Sequence, residues 1–199
     1  ATAGKPNGFT LLEVMIVLVL VATMSGYMIS RLADPSRDIK RFVTKFSLVT
    51  RQIQYQAKLY STTYRLVIDL DEDAIEGIPQ RYWVEKSTDS GIVLENEPLE
   101  QAAEDEPQPT SFEKDDKIFR EIQGFPNGLK VTQVELTRRK EPIVNGKAYV
   151  YFLPQGLVDE AAIHLSYGEN TQWTIITNPL SGQSDLVPKF LSLQEVRSQ

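Results

Sequence analysis

Three patterns of apolar and polar positions follow one another along the chain. Residues 9–28 are almost wholly apolar, long enough to cross a hydrocarbon core, which takes ~20 helical residues. One charge breaks the run, Glu13, just inside its start. An acidic group at the centre of a membrane helix costs about 2.5–3.5 kcal/mol on insertion scales, and less near an end, so such groups are usually paired and functional. Next, "Asp34-Pro35-Ser36-Arg37" reads as a helix start, with Asp34 as N-cap and Pro35 as the first helical residue. Beyond it Ile39, Phe42, Val43, Phe46, Ile53, Ala57 and Tyr60 recur at helical spacing and predict one apolar stripe, packed on a sheet.

After Tyr60 the period shortens. Strands are predicted at 64–70, 80–85, 129–137, 147–153, 161–167 and 171–177. Turns are marked by Pro126-Asn127-Gly128, Asn145-Gly146, Pro154-Gln155-Gly156 and Ser181-Gly182. Strands joined mostly by short turns indicate antiparallel pairing, and two small sheets against the helix are expected. The acidic stretch "ENEPLEQAAEDEPQPTSFEKDD" reads as a mobile loop, set at 95–117, too poor in apolar residues to order itself.

Charge sharpens this picture. The chain of 199 residues carries a net −6, unevenly placed. Residues 31–65 hold eight cations against Asp34 and Asp38, and the balance reverses over 69–106. This leaves two readings for the basic stretch: a solvated helix face, or a contact surface for acidic neighbours or lipid head groups. The acidic excess argues against nucleic acid as a partner. The absence of cysteine excludes disulfides, thiolate metal sites and a cysteine nucleophile.

The N-terminal stretch "Gly8-Phe9-Thr10-Leu11-Leu12-Glu13-Val14" resembles the cleavage and methylation motif of type IV pilins and type II secretion pseudopilins. The resemblance implies a short basic leader, residues 1–8 with Lys5, cut by a prepilin peptidase between Gly8 and Phe9. It implies N-methylation of Phe9 and places the family's glutamate at Glu13, where it pairs with the amine of a neighbouring subunit. The implied fold is α+β and pilin-like, with a long N-terminal helix packed on an antiparallel β-domain. Its parts are a membrane and filament-core half at 9–33, an amphipathic half at 34–62, and a periplasmic domain at 63–199.

Further along, "YFLPQG" at 151–156, "IHL" at 163–165 and "IITNPLSG" at 175–182 are similar to turns of the H-type minor pseudopilins and of related minor pilins of type IV pili. The implied partners are other minor and major pseudopilins or pilins, the prepilin peptidase, an inner-membrane assembly platform, and membrane lipid before assembly. Lys5 is a weak cytoplasmic signal against Arg31 and Arg37 on the other flank, so an N-terminus-inside orientation rests on the resemblance alone.

No enzyme is expected, and neither a cofactor nor a metal. The single histidine, His164, falls in a strand on the face opposite Ile163 and Leu165, which predicts a surface or edge position. No nucleophile signature accompanies it. "Asp69-Leu70-Asp71-Glu72-Asp73-Ala74" starts like a calcium loop, but Ala74 stands where glycine is needed and Gln80 where the twelfth-position glutamate belongs; it reads as an acidic hairpin turn.

Overall fold

The computed structural model describes residues 10–32, 35–71, 80–94, 111–168 and 171–198, with side chains of 25–38 outside the description. The chain divides into two compact units, Ala1–Arg37 and Asp38–Gln199. The expected long helix is described as two: α1 (Leu11–Leu32) and α2 (Pro35–Tyr60), with residues 33–34 between them undescribed.

In the second unit the predicted stripe forms one face of α2. Ile39, Phe42, Val43, Phe46, Ile53 and Ala57 are all buried in the core. Tyr60 departs from the expectation and is exposed. The helix ends there: Ser61 takes a left-handed φ of 50° and the chain turns at once into a strand. The Tyr60 ring instead lies 4.9 Å beneath the Lys117 Nζ.

Two antiparallel sheets share the core with α2. The first contains β1 (Thr62–Asp69), β2 (Arg81–Ser90), β3 (Phe112–Lys114), β4 (Gln123–Gly124) and β6 (Lys147–Phe152), ordered β3-β2-β1-β6 with β4 also on β2. The second contains β5 (Leu129–Leu136), β7 (Ala161–Tyr167), β8 (Thr171–Thr177) and β9 (Ser184–Val187), ordered β5-β7-β8-β9. A short helix, α3 (Leu193–Arg197), follows, opened by a Ser192–Glu195 capping box. Strands β3, β4 and β9 and helix α3 are absent from the sequence prediction, being too short to show a period. The expected loop at 95–117 is corrected at its end. Residues 95–110 lie outside the description, but Phe112 is buried in β3 and pairs with Ser87, because an aromatic there finds a sheet edge to cover.

Strand β1 is buried along its whole length, between β2 and β6. Its inner face, Tyr64, Leu66 and Ile68, joins the core. Its outer face is closed by a polar stack. The Arg65 guanidinium sits 4.0 Å from the Phe112 ring centroid and 4.4 Å from that of Tyr149, and its Nε donates to Glu85 at 2.6 Å. The sheets are tied together by Gln80. Its Nε2 donates to the Leu70 and Val131 carbonyls, both at 3.0 Å, and its Oε1 accepts from the Val131 N–H at 2.6 Å.

Candidate functional site

The described part of the N-terminal unit exposes apolar side chains along its whole length. Thr10 caps α1: its Oγ1 accepts from the Glu13 N–H at 3.2 Å and its carbonyl from the Val14 N–H at 3.2 Å. Glu13 thus stands in the first helical turn, where the free N–H groups favour a negative charge. Around it Leu11, Leu12, Val14, Met15, Ile16, Val17, Leu18, Val19, Leu20, Val21 and Met24 are at least half exposed, on every side of the helix. A helix that is apolar all round is stable only when lipid or other protein surrounds it. Among the described residues no helix is long and apolar enough to cross a membrane, the side chains beyond Met24 falling outside the description. Gly8 and Phe9, expected to flank the cleavage point, also lie outside the described residues.

The second unit presents α2 through contacts that the apolar stripe alone did not reveal. Gln54, buried on the helix flank, donates from Nε2 to the Gly156 carbonyl at 2.6 Å and to the Leu180 carbonyl at 2.9 Å. Ser47 Oγ accepts from the Ser184 N–H at 3.1 Å, and Thr50 Oγ1 lies 3.2 Å from Ser184 Oγ. These bonds clip the helix to the two turns whose sequences stood out, "LPQG" and "PLSG". Both turns need glycine: Gly156 and Gly182 have φ of 88° and 64°. A Cβ on Gly182 would meet the Gln54 side chain at 2.9 Å, and one on Gly156 would overlap Lys58. The sequence signal for this clip is a row of polar residues, Ser47, Thr50 and Gln54, along one flank of the apolar stripe.

His164 corrects its expectation. It is 1 % exposed rather than at the surface. The chain after β9 crosses the outer face of the second sheet, and Phe190 stacks on the imidazole with centroids 4.1 Å apart. His164 Nε2 lies 3.0 Å from Glu135 Oε1, and Nδ1 lies 3.2 Å from Thr174 Oγ1. Thr174 Oγ1 is in turn 2.8 Å from the Lys189 carbonyl and accepts from the Leu191 N–H. Burial lowers the pKa of His164 more than Glu135 raises it. A histidine, a carboxylate and a hydroxyl in line resemble a hydrolase triad, but Thr174 is fully buried and its contacts are spent on the C-terminal segment. The arrangement holds chain to sheet and presents no nucleophile to a substrate.

The acidic turn is only partly described, 72–79 lying outside. Asp69 faces Arg81 at 3.3 Å, and Asp71 Oδ1 accepts from the Gly146 N–H at 2.6 Å. Among the described residues no group of three or more His, Cys, Asp or Glu is placed to hold a metal ion.

A family model described as the prokaryotic N-terminal methylation motif matches residues 5–29. Comparison with curated proteins returns no match, and neither does comparison with solved structures. The match supports a type IV pilin-like protein, either pilin or pseudopilin, as the class of this chain, with processing by a prepilin peptidase. Proteins of that class are structural, and the motif implies assembly with other pilins.

Proposed function

We propose that the chain is a minor pseudopilin of a type II protein secretion system, of the H type, built into the periplasmic pseudopilus near its tip. The observation that carries this reading is the methylation motif over 5–29, continuous with a helix that is apolar on all sides and has one carboxylate in its first turn. In this reading residues 1–8 are the leader, Gly8 and Phe9 flank the cleaved bond, and Phe9 is N-methylated. Residues 9–33 anchor the chain once through the inner membrane and later pack in the filament core, 34–62 form the amphipathic half of the helix, and 63–199 form the periplasmic domain. Glu13 acts as a registration device. A carboxylate and an ammonium buried singly each cost several kcal/mol, roughly, and pairing recovers much of it, so a subunit at the wrong height is penalised.

Mass spectrometry of the protein from its native host tests the processing. The expected mature terminus is methylated Phe9; a terminus near Ala22 or Gly26 would mean an ordinary signal peptide. The motif serves pili as well as secretion, so a minor pilin that initiates type IV pilus assembly is the second reading. The absence of cysteine favours secretion, since the minor pilins it resembles commonly carry a cysteine pair. Loss of secretion with intact piliation on deletion supports the first reading, and the reverse supports the second.

A further inference from the structure

The outer face of α2 is built unlike the rest of the surface. Between Ile39 and Tyr60 stand five cations, Lys40, Arg41, Lys45, Arg51 and Lys58, and no carboxylate. All five are exposed. None forms an ion pair with a carboxylate among the described residues. Leu48, Tyr55 and Leu59 are 61 %, 62 % and 55 % exposed. Spacings of seven and four put these three on one line down the helix, opposite the buried stripe. Lys40, Arg51 and Lys58 flank the line on one side and Lys45 on the other, and Arg41, seven residues before Leu48, continues the line itself. The remainder of the chain has the opposite sign: residues 61–199 carry twenty-four carboxylates against thirteen cations.

We propose that this face of α2 lies on an anionic phospholipid surface and orients the β-domain on the membrane before assembly. The inference rests on the reading that the N-terminal segment anchors the chain in the bilayer. Three observations favour lipid over an acidic protein. The cations are spread on both sides of the apolar line rather than gathered opposite a fixed partner, which suits a diffuse field of head groups. Exposed leucines beside a tyrosine are side chains that enter the boundary between head groups and acyl chains. The rest of the domain is acidic, so an anionic surface attracts this face while repelling the others, and a single orientation follows. Chain continuity supplies the proximity: α2 begins three residues after α1 ends, so the helix starts where an anchored α1 would leave the bilayer.

The chain has no cysteine, so one introduced cysteine carries a unique label. The full chain with Tyr55→Cys is labelled with a fluorophore and reconstituted in vesicles of phosphatidylcholine alone, or of phosphatidylcholine rich in phosphatidylglycerol, each with a head-group-borne quencher. Flotation with the phosphatidylcholine vesicles reads the anchoring separately. The expected result is quenching several-fold stronger with phosphatidylglycerol, abolished by high salt. It should also be abolished by Lys45→Glu combined with Arg51→Glu and Lys58→Glu, exposed changes that leave flotation intact. A label at Gln194→Cys on α3 stays unquenched in both lipids. Equal quenching in the two lipids, or equal quenching at Gln194→Cys, overturns the proposal. Protection of the Tyr55→Cys label only on adding purified pilin-type subunits also overturns it and makes the face a protein contact.

Discussion

Gln54→Leu isolates the clip between α2 and the two glycine turns. Leucine keeps most of the side-chain volume but removes the donor that serves both the Gly156 carbonyl at 2.6 Å and the Leu180 carbonyl at 2.9 Å. Orphaning a buried acceptor costs about 1–3 kcal/mol. The Gly156 bond is buried and the Leu180 bond half-buried, so water recovers part of the second. The sum is about 2–4 kcal/mol. For a domain of this size each kcal/mol moves Tm by about 2–4 °C, which predicts a fall of about 4–16 °C. Urea and thermal melts of a fragment spanning 36–199, followed by far-UV and aromatic circular dichroism, read this directly. Gln52→Leu, on the exposed side of the same helix, is the control and should stay within about 0.5 kcal/mol of wild type. A Gln54→Leu melt inside that same margin would refute the reasoning, and would mean that the turns hold their shape without the helix.

The fragment 36–199 should itself be soluble and monomeric, since it leaves out the apolar helix and keeps the buried stripe; aggregation on size exclusion would place the boundary elsewhere. Ser61→Gly should stabilise by roughly 1 kcal/mol, because glycine holds a φ of 50° without a Cβ penalty; an unchanged or lower urea midpoint goes against this. The folded-state pKa of His164 is lowered, mainly by burial, so the unfolded ring takes the proton first. Stability contributed by the neutral ring is present above the unfolded value of about 6.5 and declines as pH falls through it. The drop in urea midpoint between neutral and mildly acid buffer should shrink in His164→Gln, and an identical drop would exclude the histidine as its source. Glu13→Leu should still insert and be cut, yet fail to co-purify with neighbouring subunits, since removing one member of a buried pair typically costs ~3–5 kcal/mol. Normal assembly and function in that variant would remove the pairing role.

Features written in contiguous or strictly periodic residues are legible without coordinates. The methylation motif and the apolar run after it are local codes, readable because each is written in consecutive residues. The buried face of α2 and strands β2 and β5 followed from periods of 3.6 and 2, because one covered face selects one set of positions, while β1 and β6 to β8 showed as short apolar and β-branched runs between turn residues. Tertiary structure decided the rest. His164 faces away from Ile163 and Leu165, which predicts a surface or edge position, and only the return of residues 189–193 over that face buries it. Arg65 stands between apolar neighbours in the sequence, and nothing local to it names Phe112, Tyr149 and Glu85, which enclose it from three other strands. Gln54 and Gln80 occupy legible positions on a helix flank and at a strand start, but nothing local names their partners. Their roles depend on carbonyls tens of residues away, whose positions exist only once both sheets have closed on the helix.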